Sequence, residues 1–284
     1  MTFPLNEEAI KAIFLLPACD GGFERDFFEY LNDLGGLRRS VLLAFAPKAA
    51  GTYLRSAAIV AANGVLVRTC HAQGGRDASF YMPTFVRYFA GGFPRKTLVT
   101  HVHMQALPAN RHFIEAFDLR PAIMLRAIPD MLTSYADMLD GDPLFPDNWL
   151  NLSVPENYAA LTDEAKGDFL IDMMGPWYAS YFATWLDYAA QDSRVLVLGY
   201  DEFREHPALV LERLLAHSGV ARSRDQCQTA LDAVWEERQS YRFNKGVSGR
   251  GRARFTHAQI ARLERQLDYY PNLAGLKQTL IPPP

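Results

Sequence analysis

The chain has 284 residues, 49% of them hydrophobic, with 29 Lys and Arg against 32 Asp and Glu for a formal net charge of −3. That hydrophobic content excludes a disordered chain and can supply the core of one large α/β domain. The slight acidic excess excludes general binding to nucleic acid or to an anionic membrane, because both rest on surplus Lys and Arg.

The N-terminal stretch MTFPLNEEAIK carries acids where a signal peptide carries basic residues, and residues 1–38 read as a helical extension of a single domain spanning 1–284. Five apolar runs follow as strand candidates: VLLAFA (41–46), VLVRTC (65–70), TLVTHV (97–102), AIMLRA (122–127) and RVLVLGY (194–200). Helical patterns fill the gaps. Apolar strands alternating with helices predict a three-layer α/β/α fold around a largely parallel sheet.

The stretch from Asp140 to Asp168, rich in Pro, Asn and Asp, reads as a surface excursion of the kind that often forms a lid, ahead of a helix around 169–190. Met173–Leu186 lacks charge but is too short to span a bilayer, so no stable membrane insertion is expected. Helical segments at 225–240 and 256–268 flank a Gly/Arg-rich loop, NKGVSGRGRARF. Cys19, Cys70 and Cys227 are far apart without C-x-x-C spacing, which fits a reducing, cytoplasmic compartment and no zinc site.

Parallel sheets bind ligands at the carboxyl ends of their strands. After the first run comes PKAAGT, Pro47 to Thr52, leading into a helix from Gly51 to Asn63. A Walker loop, G-x-x-x-x-G-K-S/T, places its lysine after the second glycine; here Lys48 precedes Gly51, which makes a P-loop kinase a poor reading. The helix start still offers N–H groups and a positive dipole end to an anion, with Lys48 adding charge and Thr52 a hydroxyl. Arg126 ends the fourth run and Ser134 follows in the helix opened by Pro129, a fork and a hydroxyl suited to phosphate. In the last loop, Lys245, Arg250, Arg252 and Arg254 stand among glycines whose N–H groups can form an anion cradle. Each feature alone also reads as ordinary structure: a surface lysine, a salt-bridged arginine, a solvated basic run.

Together these elements resemble the sulfotransferases that use 3′-phosphoadenosine 5′-phosphosulfate. PKAAGTYL is similar to their P-K-S/A-G-T-T-W-L, LRAIPDMLTSY to R-N-P-x-D-x-x-x-S, VLGYDEF to K-Y-E-D-L, and FNKGVSGRGRARFT to F-R-K-G-x-x-G-D-W-K-x-x-F-T, in the same order, across roughly residues 40–270. The resemblance implies a P-loop-like sulfotransferase fold. It also implies that Lys48, Ala49, Ala50, Gly51 and Thr52 hold the 5′-phosphosulfate, with Lys48 near the departing bridge oxygen. Arg126 and Ser134, with Lys245 and Gly246, would hold the 3′-phosphate. Tyr53 would contact adenine, and Tyr200 stands at the Y-E-D tyrosine. His101, in LVTHVHMQALP, falls on the histidine of K-T-H-x-P, the family's general base, with His103 as its rival.

The departures are specific. Ala50-Gly51 replaces Gly-Thr, and Asn244 replaces the arginine of R-K-G, for which Arg250 or Arg252 could substitute. The family's dimer motif falls on Arg252, Thr256, His257 and Ala261 and is not matched, so the oligomeric state stays open. The expected reaction is metal-independent sulfuryl transfer to a hydroxyl of a small-molecule, sugar or lipid acceptor. The alternative is a binder of phosphorylated nucleotide or anionic sugar without turnover. Aromatic residues at Phe80–Phe93, Trp149 and WYASYFATWLDY could line an acceptor pocket, although such stripes more often form core.

Overall fold

The computed structural model describes residues 40–70, 78–81, 96–141, 154–236 and 248–283. Its centre is a five-stranded, wholly parallel sheet with strands β1 (Ser40–Leu43), β2 (Gly64–Leu66), β3 (Thr97–His101), β4 (Pro121–Leu125) and β5 (Leu196–Gly199) in the order β2-β3-β1-β4-β5. All five expected strands are present. Each is shorter than its apolar run at the carboxyl end, because there the chain turns out of the ladder into the loops described below. Every residue of β3 is buried, its Thr97, Thr100 and His101 included, which is why the strand shows no polar alternation.

The direction of the crossovers fixes the layers. The chain leaves β1 through helix α1 (Gly51–Ala62) toward β2 on one side, and leaves β3 through α2 (Pro108–Ala116) toward β4 on the other. Right-handed crossovers in opposite directions place their helices on opposite faces. From β4 the chain continues the same way through α3 (Ile128–Gly141) and the long α4 (Asp163–Gln191) to β5, and Arg111 of α2 bonds the Thr184 carbonyl and Asp187 of α4, both at 2.9 Å. After β5 and a short α5 (Tyr200–Glu205), helices α6 (Pro207–His217) and α7 (Arg224–Glu236) pack with α1 on its face. Helices α8 (Arg250–Arg254) and α9 (His257–Asp268) return to pack on α3 and α4, and α10 (Lys277–Leu280) closes the described chain. This is the expected three-layer α/β/α arrangement.

The helix expected at 169–190 begins six residues earlier, at Asp163, because the Thr162 hydroxyl accepts the Ala165 N–H at 3.2 Å and Asp163 and Glu164 sit favourably in the first turn. The surface excursion therefore ends at Thr162, and residues 142–153 of it, with Trp149, lie outside the described residues, as do the extension 1–38 and most of Phe80–Phe93. No helix among the described residues is long and apolar enough to cross a membrane.

Helix α4 forms the floor beneath β1 and its loop. Trp185, Tyr178, Tyr181 and Phe182 are fully buried. Their polar atoms are spent on loop carbonyls: Tyr181 donates to Ala44 O at 2.6 Å, Tyr178 to Pro47 O at 3.0 Å and Trp185 Nε1 to Met104 O at 2.8 Å. The aromatic stripe is thus core, and it anchors the loops that follow β1 and β3.

Candidate functional site

The sheet reverses its winding at β1, which β3 and β4 flank, and there the carboxyl-end loops meet. Leu43 aligns with His101 in β3 and with Ala122 in β4; the Val102 N–H reaches Leu43 O and the Ala44 N–H reaches Ala122 O, each at 2.9 Å. The loop after β1 and the residues after β3 therefore emerge side by side.

Between β1 and α1 the backbone takes left-handed φ at two non-glycine residues, Lys48 (+66°) and Ala50 (+62°), a conformation that costs a residue with a Cβ about 1–2 kcal/mol. Ala50 caps α1 without a side-chain bond, so the first turn of α1 is held by the loop's shape. Gly51 opens the helix for a steric reason. A Cβ built there would lie 2.1 Å from His101 Nε2 and 2.5 Å from His101 Cε1, so the imidazole lies directly against the Gly51 backbone. The Ala50-Gly51 departure from Gly-Thr follows: a histidine occupies the space a threonine side chain would need, and the left-handed position has kept an alanine.

His101 is buried at 9% exposure and meets Phe45 edge-on at 6.4 Å and His103 at 4.9 Å with an 88° interplanar angle. His103 Nδ1 bonds the Phe45 carbonyl at 2.8 Å; since a carbonyl only accepts, Nδ1 carries the proton and Nε2 keeps its lone pair. Burial, then the neighbouring His103 and Arg55, hold the His101 pKa well below the ordinary value. Burial likewise brings His103 down to about 4, with Lys48 and Arg55 adding to the fall and the Phe45 bond opposing it. Both rings are neutral near pH 7 and able to take a proton.

Arg126 leaves the end of β4 and hydrogen-bonds the Lys48 carbonyl through Nη1, while its guanidinium lies over the Tyr200 ring at 3.9 Å. Its Nε is buried without a hydrogen-bond partner among the described residues. Burial lowers the Arg126 pKa, opposed by Tyr200, Asp130, Tyr178 and Asp201. The Lys48 ammonium meets the Met138 thioether at 3.4 Å, a weak acceptor that an arriving anion would displace. These cations, the α1 N-terminus and the buried Arg126 donor suit a ligand with two anionic groups.

Along α3, Asp130, Ser134 and Asp137 share one face at i, i+4 and i+7. That face meets the Gly/Arg-rich segment. Asp130 accepts the N–H groups of Gly249 and Gly251, each at 2.7 Å, and Asp137 pairs with Arg250 at 2.7 Å and Arg254 at 3.5 Å. The anion cradle expected of these glycines is corrected accordingly: Gly249 and Gly251 bind an internal carboxylate. A Cβ at Gly251 would lie 2.1 Å from the Pro129 carbonyl carbon, so α8 packs backbone to backbone on α3. Arg250 is engaged with Asp137, whereas the Arg252 Nη1 is buried without a hydrogen-bond partner among the described residues. Ser134 is buried at this seam. Lys245 and Gly246 lie outside the described residues.

Tyr53, on α1, donates to Leu231 O at 3.2 Å, and its ring meets Phe203 at 6.1 Å and Trp235 at 6.2 Å. Trp235 is 42% exposed and was not singled out from the sequence. The one signal for it is a tryptophan ten positions ahead of Lys245 on a helix. Arg55 was missed as well; its place one turn into α1 puts its charge on both histidines.

The sheet order, the loop ahead of α1 and the residues at the strand ends define an α/β protein with the sulfotransferase fold. In particular, the chain is similar to mouse sulfotransferase SULT7A1 complexed with PAP, at 16% identity and a TM-score of 0.60 over 89% of this chain and 92% of that one. It is also similar to retinol dehydratase in a complex with retinol and PAP, at 13% identity and a TM-score of 0.54, covering 87% of this chain and 86% of that one. The same enzyme with androsterone and inactive cofactor PAP aligns at 11% identity with a TM-score of 0.50 over 86% and 85% of the two chains. No family model and no curated relative matches the sequence.

Proposed function

We propose that the chain is a sulfotransferase that moves the sulfuryl group of 3′-phosphoadenosine 5′-phosphosulfate to a hydroxyl of a small-molecule, sugar or lipid acceptor. The observation that carries this reading is the convergence of Lys48, the α1 N-terminus and a neutral histidine pair at one strand end, with Arg126 bonded into the same loop. Neighbours of the same fold crystallised with PAP support it.

The donor supplies an activated sulfuryl group on a good leaving phosphate, and the chain must align the two oxygens and manage charge and proton. The first-turn N–H groups of α1 and Thr52 hold the non-bridging oxygens. Lys48 gives up Met138 and neutralises the bridge oxygen as its bond to sulfur breaks. His101 takes the acceptor's proton as the new oxygen–sulfur bond forms. Arg126 offers its buried Nε to the 3′-phosphate, beside Ser134 and with Lys245 and Gly246 contributing from the neighbouring loop. Tyr53, with Trp235, offers an aromatic platform for the adenine, and Tyr200 holds the Arg126 plane.

Calorimetry comparing adenosine 3′,5′-bisphosphate with ATP and Mg²⁺ tests the nucleotide, and labelled donor with phenolic, sugar and lipid acceptors tests turnover. Bisphosphate binding with label transfer is expected. Binding without transfer to any acceptor would favour a non-catalytic nucleotide binder, and preference for ATP would overturn the reading.

A further inference from the structure

We infer that His103 is a positioning residue for the base, holding the His101 ring over Gly51 and tying it to the loop that carries Lys48. The inference rests on the sulfotransferase reading for its consequence in turnover, and on geometry alone for the pair itself.

His103 stands where the K-T-H-x-P pattern has proline, so it is a feature of this chain and not of the motif. A proline there would offer no aromatic ring and no hydrogen-bond donor. His103 supplies both. Its ring meets His101 edge-to-face at 4.9 Å, closer than Phe45 on the other flank at 6.4 Å. Its Nδ1–H is committed to the Phe45 carbonyl at 2.8 Å, three residues ahead of Lys48. Phe45 thus touches both histidines, one through its ring and one through its carbonyl, and the strand end and the anion loop become one unit.

The contact matters because Gly51, whose backbone lies directly against the imidazole, has no side chain to hold the ring in place. A glycine at the helix start cannot wedge the imidazole, and His103 and Phe45, just past the ends of β3 and β1, press on the ring. The groups facing the pair are cationic: Lys48 from the loop bears on His103, and Arg55 from α1 bears on both rings. Burial keeps His101 neutral and accepting, and in acid a proton on one imidazole opposes a proton on the other.

The test compares wild type with His103→Phe, which keeps an aromatic ring but loses the donor, and His103→Gln, which keeps a donor. Imidazole NMR titration reads His101 directly, without reference to turnover; its midpoint should move to higher pH in both variants. With labelled donor, kcat should fall about tenfold or more in the phenylalanine variant, the scale expected for a misplaced reacting group, and recover in the glutamine variant. Binding of adenosine 3′,5′-bisphosphate should fall by less than kcat does, since His103 bonds the Phe45 carbonyl and none of the residues proposed to hold the nucleotide. An unmoved His101 titration, or wild-type kcat in His103→Phe, overturns the inference. His103→Gln carries the titration readout if circular dichroism shows the phenylalanine variant unfolded. Absence of sulfuryl transfer in the wild type overturns the transferase reading alone, and the NMR result still decides the pair.

Discussion

The contact between Gly51 and His101 makes the site's sharpest prediction. In Gly51→Ala the new Cβ would lie 2.1 Å from His101 Nε2, against the 3.4 Å of an ordinary contact, so the ring must retreat by about 1.3 Å. It cannot retreat freely, because Phe45 and His103 flank it and the residue is buried. Overpacking of this kind costs about 1–3 kcal/mol, which for a chain of this size lowers Tm by a few degrees to about ten. A displacement of about 1 Å at the proton-accepting group costs on the order of 10² in rate. The assay pairs turnover of labelled donor with calorimetric affinity for adenosine 3′,5′-bisphosphate and a thermal melt. The expected result is a large loss of kcat with a modest loss of Tm. Gly51→Thr, which restores the residue of the resembling motif, should be worse than Gly51→Ala. Wild-type turnover and Tm in Gly51→Ala would refute the placement of the histidine.

Ala50→Gly should raise stability by about 0.5–1 kcal/mol in denaturant titration, because removing a Cβ at φ +62° relieves more strain than the added unfolded-state freedom of glycine costs. Asp130→Ala strips the acceptor from the buried Gly251 N–H and from Gly249, so stability should fall by about 2 kcal/mol or more in denaturant titration. Acid should destabilise the fold early. A buried neutral histidine binds its proton more weakly folded than unfolded, so stability is fully present above pH 6.5 and is lost as pH falls toward the folded value. For His103, at about 4, the loss amounts to about 3 kcal/mol, with His101 and His217 shifted in the same direction. Denaturant midpoints between pH 7 and pH 4 should show the slope in wild type and less of it in His103→Gln.

The sheet was legible because both of its faces are covered: buried parallel strands read as short apolar runs, and the alternation with helices leaves few topologies. Strand ends were not legible, since Ala44 to Ala46 remain buried and apolar after leaving the sheet. The residues proposed to bind anions could be read because their chemistry is local. What they touch could not. Tyr178 and Pro47 are 131 positions apart, and Gly249 and Asp130 are 119 apart. Glycines among arginines invite a phosphate in sequence, whereas in space a buried aspartate has already taken two of their N–H groups.

That aspartate changes how the lysine ahead of the turn should be understood. Lys48 lies in the left-handed region with its carbonyl turned to Arg126, so the residue proposed to meet the departing oxygen and the residue proposed to hold the 3′-phosphate are joined through one backbone atom. Arg126 in turn sits near the charge of Asp130, and Asp130 holds the segment that follows Lys245 and Gly246. A 3′-phosphate that draws Arg126 toward itself must therefore act on the loop that presents Lys48. Adenosine 5′-phosphosulfate, which lacks that phosphate, leaves Arg126 on the Lys48 carbonyl, so its deficit should appear in kcat as well as in KM. Arg126→Ala should erase the kcat difference between the two donors, whereas a purely additive pair of anion sites would show a KM difference and no kcat difference already in the wild type.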